Sequence, residues 1–368
     1  MSGSTIGTLF RVSTWGESHG KALGVVVDGC PAGLELKEED IQVFLDRRKP
    51  GQNAYTTSRK EGDKAEILSG VFEGFTTGTP ISIMVRNEDQ SSKDYSNIAQ
   101  VYRPGHADYT FDRKFGYRDY RGGGRSSGRE TIGRVAAGAI ASKILHGLGI
   151  SCTAYARQIG SIEVPTHEID LSVIQDNPLY MPHTHYAIEA MEYVKQVKQS
   201  GDSVGGMIEA VVEGLPTGLG SPVFDKIDAD LAKAILSIGS TKSVEIGDGI
   251  SASTSLGSEF NDTFANQEGS IIKLSNHAGG VLGGISDGST LIVRTAIKPT
   301  PSISIPQETV DQEGNEQLIQ IKGRHDPIIV PRAVVVVESM IAITLVDHLF
   351  RNMSSTLSGI HTFYRKDQ

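Results

Sequence analysis

The chain has only two cysteines, and neither belongs to a pattern that carries chemistry. Cys30 and Cys152 each stand alone among apolar residues, so neither a metal-binding spacing nor a disulfide framework can be built from them. No apolar segment follows a basic start at the N-terminus, which argues against a secretory signal. The longest apolar stretch, 333–350, contains Glu338 and Asp347, which argues against a membrane span. These absences predict a cytoplasmic protein without a metal site.

Basic residues are fewer than acidic residues: the chain has 35 Lys and Arg and 44 Asp and Glu, and its net charge is −9. This balance argues against a nucleic-acid-binding protein. The exception is the segment 103–134, which holds seven arginines and one lysine against four acidic residues. A local basic cluster in an acidic protein predicts a small anionic ligand that is held at a focused site.

No Pro- or Ser-rich linker and no low-complexity run divides the 368 residues. Strand-like and helical patterns alternate irregularly, which favours a layered α+β fold over a doubly wound parallel sheet. A duplication stays an open alternative, because each half offers strands, a helix and a Gly-rich turn. The predicted strands are 9–13, 22–28, 65–72, 80–85, 161–164, 205–212 and 291–297, and the predicted helices are 38–48, 131–148, 187–200, 225–238 and 332–350.

The most distinctive segment is 121–131, RGGGRSSGRET. Three consecutive glycines allow positive φ angles and close approach to a ligand, and Ser127 and Glu130 fit a capping box that starts a helix. Because a helix N-terminus attracts phosphate, and Arg125 and Arg129 would add donors, the segment predicts a phosphate-binding turn. The alternative is an ordinary glycine turn before a helix. The segment is not a kinase-type P-loop, because no Gly-Lys-Ser or Gly-Lys-Thr follows the glycines.

Two histidines lie in turns that glycine or proline bounds, His19 in WGESHG and His106 in RPGHAD. A histidine in such a turn suits proton transfer near neutral pH, but a single histidine is more often structural, and both interpretations stay open. No Ser-His-Asp triad is predicted, because the nucleophile-elbow signature is absent.

Three cations, Arg47, Arg48 and Lys49, end the helix predicted for 38–48. They either complement the helix dipole or form an anion clamp, and the sequence supports the two equally. The Gly-rich loop 276–286 and the loop 298–302, KPTPS, suit close approach to a planar ring or a phosphate. Each loop alone predicts little beyond a turn.

Six segments occur in the order expected of the chorismate synthase family: 16–20, 103–108, 119–127, 275–286, 298–302 and 323–327. The sequence resembles that family from Thr5 to the region of Leu349. The resemblance implies an α+β fold, a β-α-β sandwich with two antiparallel sheets and helices packed inside, as one domain over residues 1–368. It also implies a homotetramer.

The resemblance further implies a lyase that converts 5-enolpyruvylshikimate 3-phosphate to chorismate and phosphate, the last step of the shikimate pathway. The reaction is an anti-1,4 elimination that needs reduced FMN, although substrate and product differ by no net redox change. NADPH would take part only indirectly, through reduction of the flavin. An arginine-rich site suits this chemistry, because the substrate carries a phosphate and two carboxylates and FMN carries another phosphate.

By position, His19 resembles the family histidine that protonates the leaving phosphate, and His106 resembles the one that stabilises the anionic reduced flavin. Ser18 and Ser127 match serines close to the substrate and the flavin, and Asp326 matches an aspartate that assists proton removal. The implied substrate contacts are Arg48 and Arg129, and the implied flavin contacts are Arg125, Ser126, Ser127, Gly239, Ser240, Gly283, Lys298, Pro299, Thr300, Pro301, Ser302 and Arg324.

The chain departs from the family pattern at three positions, one of which is Trp15 in place of a frequent phenylalanine. Ala54 stands where a basic residue is frequent, so that Arg59 or Lys60 would have to substitute, and Pro301 replaces a frequent serine. Two rival functions stay open at this point. One is a phosphotransferase, against which the missing P-loop lysine counts, and the other is a non-catalytic flavin-binding protein, against which the two histidine turns count.

Overall fold

The computed structural model describes residues 3–51, 62–87, 99–321 and 326–365. The helices are α1 (Glu38–Arg48), α2 (Asp108–Phe115), α3 (Thr131–Gly147), α4 (Thr184–Gln199), α5 (Ile227–Leu236), α6 (Gly257–Phe260), α7 (Val330–Asn352) and α8 (Leu357–Tyr364). The strands are β1 (Thr5–Ile6), β2 (Arg11–Gly16), β3 (Ala22–Asp28), β4 (Ala65–Ile67), β5 (Val71–Phe72), β6 (Phe75–Thr76), β7 (Ile81–Arg86), β8 (Ser151–Ile159), β9 (Ile162–Glu163), β10 (Gly206–Glu213), β11 (Thr241–Ile246), β12 (Phe264–Gln267), β13 (Ser270–Lys273), β14 (Val281–Leu282), β15 (Ile285–Ser286), β16 (Leu291–Ile297), β17 (Gln307–Val310) and β18 (Glu316–Ile319).

Two five-stranded antiparallel sheets form the outer layers of the fold. The first sheet has the strand order β1-β2-β3-β7-β4, and the second has the order β11-β16-β10-β8-β9. Between them, α3 contacts β2 and β3 of the first sheet, α7 contacts β8 and β10 of the second, and the two helices contact each other. The predicted α+β sandwich with helices inside is therefore confirmed.

The helix α7 lies in the core. It is long and apolar enough to cross a membrane, alone among the helices of the described ranges, but 89% of its most apolar segment is buried inside the protein. Its Glu338 carboxylate accepts hydrogen bonds of 2.7 and 3.0 Å from Arg47. The Asp347 carboxylate accepts from the three successive backbone N–H groups of residues 8–10. The two acidic residues therefore anchor a buried helix, as expected for a segment that does not span a bilayer.

The two sheets are built from the same succession of elements. The first half of the chain has the element order β2, β3, α1, β4, β7 and α3. The second half repeats this order as β8, β10, α5, β11, β16 and α7. Equivalent strands occupy equivalent places in their sheets. A short hairpin precedes the inner strand in both halves, β5-β6 before β7 and β14-β15 before β16. The duplication that the sequence left open is present in the fold.

The match between the halves extends to single hydroxyl groups. Thr76 and Ser286 occupy equivalent hairpin positions, and each hydroxyl donates a 2.6 Å hydrogen bond to a proline carbonyl, that of Pro31 or of Pro216. Each hydroxyl also accepts from the backbone N–H three residues after its proline, at 3.0 and 2.9 Å. The same side-chain bridge therefore fixes the hairpin to the start of the crossover in both halves.

Three predicted elements, the strands 22–28 and 291–297 and the helix 38–48, are confirmed residue for residue. β8, β11, α2 and α8 are among the elements that were not predicted from the sequence, and the predicted strand 65–72 is wrong because β4 and β5 belong to different sheets. The signal of β8 is weak because Ala154 and Ala156, which are buried in the core, are residues with low strand propensity.

Candidate functional site

The predicted site residues lie mainly in segments that leave one end of the sandwich. These segments are the β2–β3 turn, the C-terminal ends of α1 and α5, and the two long connections β7–α3 and β16–α7. The two connections are equivalent in the duplicated fold, so each half of the chain contributes one long loop to this end. Residues far apart in the sequence meet here for that reason.

The histidine turn between β2 and β3 meets the Gly-rich segment directly. The Ser18 hydroxyl lies 3.0 Å from Nδ1 of His19, and a Cβ atom on Gly122 would lie only 2.5 Å from the His19 ring. Gly122 also has a positive φ of 83°. Both the conformation and the close approach require glycine at this position, so the first glycine of the triplet serves contact with His19.

The predicted capping box at the start of the following helix does not form. The Ser127 hydroxyl does cap a short 3-10 turn, Gly128–Glu130, by accepting from the Arg129 N–H at 3.3 Å. The Glu130 carboxylate does not bind back to the Ser127 N–H. It accepts instead from the Thr14 hydroxyl at 2.8 Å and from Arg134 Nε at 2.7 Å, because a strand and the next turn of the helix offer better donors.

Arg125 braces the Gly-rich turn against β2 in this structure. Its guanidinium donates to the Gly16 carbonyl at 3.1 Å and to the carbonyl and hydroxyl of Thr14 at 3.1 and 2.7 Å. A fourth hydrogen bond, of 3.3 Å, reaches the Ser4 hydroxyl. The role of Arg125 as an anion donor stays a prediction, and the donors it would use are engaged with protein oxygens here.

His106 lies in a turn that a buried ion pair holds. Arg103 binds both oxygens of Asp108 at 2.7 Å. Nδ1 of His106 lies 3.1 Å from the Pro104 carbonyl, and Nε2 lies 2.9 Å from the Ser302 hydroxyl. Because a carbonyl can only accept, Nδ1 carries the proton and Nε2 accepts from serine in the neutral ring. Burial, with Arg103 nearby, lowers the pKa of His106 to about 4.

The 298–302 loop joins the His106 turn to the segment after α5. Lys298 Nζ donates to the Gly105 carbonyl at 2.8 Å, and its backbone N–H donates to the Ser240 carbonyl at 2.9 Å. A Cβ atom on Gly105 would lie 2.9 Å from Pro301, so the proline packs on this glycine. The predicted flavin residues of this loop and of the α5 end therefore lie together.

Two observations suit an anionic, polar ligand at this place. The Thr300 hydroxyl is buried and has no hydrogen-bond partner in the described part of the chain, although buried polar groups are normally satisfied. Burial and the neighbouring Lys242 lower the pKa of Lys298, which means that two cations stand close to each other. Ser126 approaches the same place, since its carbonyl lies 3.9 Å from a Cβ position on Gly239.

The two predicted substrate arginines share one buried carboxylate. Asp63 accepts from Arg48 at 2.6 Å with one oxygen and from Arg129 at 3.1 Å with the other. Arg48 also donates to the Gly128 carbonyl at 3.0 Å and is 1% exposed. Burial lowers the pKa of Arg48, and its Nε has no hydrogen-bond partner within the described ranges. The pair is a preformed guanidinium cluster in which, within the described ranges, Arg48 Nε is an unused donor.

Asp326 joins this cluster through a third arginine. Arg332, in the first turn of α7, binds the Asp326 carboxylate at 2.6 Å and donates from Nε to the Arg48 carbonyl at 3.0 Å. The cluster thus consists of the guanidinium groups of Arg48, Arg129 and Arg332, which bind the carboxylates of Asp63 and Asp326. Among the described members of the cluster three guanidinium groups face two carboxylates, and this excess of positive charge favours an anion beside them.

Some predicted residues are not brought together. Gly283 lies in the β14–β15 turn, beside the N-terminus of α5, where the Ile227 N–H donates to the Gly284 carbonyl. Gly239 and Ser240 follow the other end of that helix, which is about 15 Å long. Arg47 ends α1 but pairs with Glu338 in the core and not with the cluster. Arg324, like Ala54, Arg59 and Lys60, lies outside the described residues.

Three residues of the site were missed by sequence reasoning: Asp63, Asn87 and Arg332. Asn87 accepts from Arg129 Nε at 3.0 Å and donates to the carbonyls of Glu17 and Gly20. None of the three belongs to a Gly-rich turn, and each acts on residues distant in the sequence. Two weak signals were available: Asn87 is a polar residue directly after a strand, and Arg332 is an arginine at the start of a helix.

Comparison with known proteins identifies the family. A profile of the family described as "Chorismate synthase" matches residues 10–350. Proteins named chorismate synthase from Agathobacter rectalis and Lachnospira eligens are 61% and 60% identical to this chain, with all of both chains covered. A solved structure titled "Crystal Structure of Chorismate Synthase" is 32% identical and superposes with a TM-score of 0.77, covering 97% of this chain and 96% of that one. The chain therefore belongs to the chorismate synthase family.

Proposed function

We propose that this enzyme converts 5-enolpyruvylshikimate 3-phosphate to chorismate and phosphate by an anti-1,4 elimination that needs reduced FMN. Membership of the family makes it a lyase of aromatic biosynthesis that acts on a small molecule and implies a need for reduced flavin. The observation that carries the finer proposal is the meeting of His19, the Gly-rich turn and a guanidinium cluster at one end of the sandwich. A phosphate ester that must be bound and protonated needs these groups together.

In the proposal, Arg48 and Arg129 bind the anionic groups of the substrate. Their guanidinium groups are held by Asp63 before any ligand arrives, so little side-chain entropy is lost on binding. The excess of positive charge in the cluster lowers the free energy of a bound phosphate or carboxylate and of the phosphate that departs. Asp326, which Arg332 holds, is placed beside the cluster to assist removal of the ring proton.

His19 donates the proton to the leaving phosphate. Ser18 contacts Nδ1 at 3.0 Å and so restrains the orientation of the ring that donates the proton. Gly122 closes on the ring from the other loop, and Ser127 lies in the same Gly-rich segment close to the proposed substrate. A proton donor with a fixed orientation lowers the activation free energy, because the reacting groups are already held in the reactive geometry.

The residues of the 298–302 loop fit a flavin phosphate. Lys298, with Lys242 beside it, supplies positive charge, and the Thr300 hydroxyl offers an unused donor. Pro299, Pro301 and Ser302 complete this loop. When bound, reduced FMN supplies electron density while the C–O bond breaks and recovers it when the ring hydrogen leaves.

His106 would respond to the flavin charge. Its pKa of about 4 makes it neutral at pH 7 in the unliganded protein. A bound anionic flavin near His106 would raise the pKa of this histidine, because a nearby negative charge favours the imidazolium. The proposal is completed by a cytoplasmic homotetramer in which residues 1–368 form one domain, with NADPH needed only to reduce the flavin.

The test is an anaerobic incubation of the enzyme with 5-enolpyruvylshikimate 3-phosphate and chemically reduced FMN. Chorismate absorbance and released phosphate should rise together in equal amounts. Oxidised FMN without a reductant is the matched control and should give neither product. Phosphate release without chorismate would instead show a phosphatase, and no change under reducing conditions would overturn the proposal.

A further inference from the structure

We propose that Asn87 is a positioning residue that fixes the His19 turn relative to Arg129. It thereby keeps the proton donor at a fixed position relative to the anion-binding cluster. The inference rests on the proposed function for the roles of these two residues. Asn87 follows β7 directly and belongs to none of the Gly-rich or Pro-rich turns of the chain.

The side-chain amide of Asn87 uses both of its ends. Its oxygen accepts from Arg129 Nε at 3.0 Å. Its nitrogen donates to the Gly20 carbonyl at 2.7 Å and to the Glu17 carbonyl at 3.1 Å. These two carbonyls bracket His19 in the chain, and the Gly20 N–H also donates to the Glu17 carbonyl, which closes the turn. One amide therefore spans the histidine turn and the arginine.

The chemistry at this position admits one orientation of the amide. Only the oxygen can face a guanidinium, and only the NH₂ group can face two carbonyls. An aspartate of the same shape would keep the acceptor for Arg129 but would bring a carboxylate oxygen against the carbonyls of Glu17 and Gly20. An alanine would remove both connections. The two substitutions therefore separate the two halves of the proposed role.

The connection continues from Arg129 to the rest of the cluster. Arg129 binds Asp63 at 3.1 Å, and Asp63 in turn binds Arg48 at 2.6 Å. A displacement of the β2–β3 turn would therefore move His19 relative to an anion held by these arginines. Because a misplacement of about 1 Å can cost about 100-fold in rate, loss of the Asn87 amide should lower turnover without removing any group that touches substrate.

The kinetic test compares Asn87→Asp and Asn87→Ala with Asn177→Ala as a matched control. Asn177 also holds a loop, the connection between β9 and α4, through hydrogen bonds to the carbonyls of Val173 and Met181, and none of the predicted site residues lies in that connection. We expect Asn87→Asp to lower kcat by roughly 10–100-fold with a small change in KM, and Asn87→Ala to lower kcat and raise KM. In a His19→Ala background the kcat effect of Asn87→Ala should largely vanish, because the two residues act as one unit. Additive losses would overturn the proposal.

A readout that does not depend on turnover keeps the inference separate from the proposed function. The C2–H NMR signal of His19 can be assigned by its absence in His19→Ala. It should shift in both Asn87 variants and stay in place in Asn177→Ala. An unmoved His19 signal in folded Asn87→Ala overturns the positioning role, whatever the activity. A wild-type enzyme without turnover, whose His19 signal still shifts in the variants, would instead contradict only the proposed function.

Discussion

His106 lies between loops from the two halves of the duplicated chain, and its environment sets its charge. The Pro104 carbonyl and the Ser302 hydroxyl hold the two ring nitrogens, and burial with Arg103 nearby lowers the pKa of the ring to about 4. The uncharged ring is thus the resting state at neutral pH. If His106 becomes positively charged only when an anion binds, it stabilises the bound anion without adding a buried charge to the empty site.

This depressed pKa predicts a pH dependence of stability. The unfolded chain binds a proton at His106 below its ordinary pKa of 6.5, whereas the folded chain does so only below about 4. The contribution is therefore fully present above pH 6.5 and is lost as the pH falls from 6.5 to about 4. The free energy of unfolding of the wild type, relative to His106→Gln, should decline across this interval in urea titrations. A difference that stays constant with pH would mean that His106 is not buried as described.

The two histidines also carry a catalytic prediction. His19→Ala and His106→Ala should each lower turnover by roughly 10²–10⁴, which is the usual range for a group that moves or holds a proton in the transition state. The measurement is the initial rate at saturating substrate and reduced flavin. Rates close to wild type for both variants would leave the two turns with a structural role only.

Recognition of the flavin phosphate is predicted to depend more on Lys298 than on Arg125. The guanidinium of Arg125 is engaged with Gly16 and Thr14, whereas Lys298 donates to a carbonyl and has Lys242 as a neighbour. Lys298→Ala should weaken FMN binding while riboflavin binding changes little, as measured by fluorescence titration with substrate present. Lys195→Ala, on the exposed face of α4, is the control. Equal losses for FMN and riboflavin would exclude a phosphate contact.

Among the secondary-structure elements, the duplication explains why the candidate site has two different parts. The C-terminus of α1 presents Arg48 to the guanidinium cluster, and the equivalent end of α5 leads to Gly239 and Ser240 beside the 298–302 loop. Equivalent helix ends thus serve the proposed substrate in one half and the proposed flavin in the other. The two long connections to α3 and α7 complete the arrangement.

The contact between α3 and α7 depends on one glycine. A Cβ atom on Gly138 would lie 2.2 Å from the Cβ of Ser339, so any side chain there forces the helices apart. Gly138→Ala should lower the free energy of unfolding by about 1–3 kcal/mol, as expected for overpacking in a core. Gly147→Ala is the matched control in the same helix, because a Cβ there meets nothing within 4 Å. It should be neutral or slightly stabilising, because alanine favours a helix.

Denaturant titrations of the two glycine variants measure this difference. A loss of the same size at Gly147 would show that the helix itself, and not its contact with α7, limits stability. Equal stability of both variants and the wild type would mean that the two helices can separate without cost.

For the molecule as a whole, features set by local sequence patterns could be predicted, whereas features set by long-range contacts could not. Helix α1 and strands β3 and β16 follow from local periodicity, and the Gly-rich turns of the site are visible as motifs. Asp63 carries no local signal and Asn87 carries only a weak one, because their partners lie in other segments of the chain. The capping box at Ser127 was wrong for the same reason, since Thr14 and Arg134 compete for Glu130.

The architecture itself needed the family resemblance. Irregular alternation indicates layered α+β packing, but the equivalence of the two halves appears only when strand order is known. A long apolar helix such as α7 has the composition of a membrane span, and its acidic residues were the only sign in the sequence of a core position. The partners of those residues, Arg47 and the backbone of residues 8–10, explain why the charges are tolerated there.

The proposed function requires a flavin that returns to its starting state after each elimination of phosphate. The most direct measurement is the anaerobic yield of chorismate when substrate is in large excess over enzyme and reduced FMN. Because substrate and product differ by no net redox change, we expect many chorismate molecules per flavin, one phosphate for each, and a flavin spectrum that is still reduced at the end. A yield limited to one product per flavin, with oxidised FMN accumulating in step, would rule out the proposed elimination.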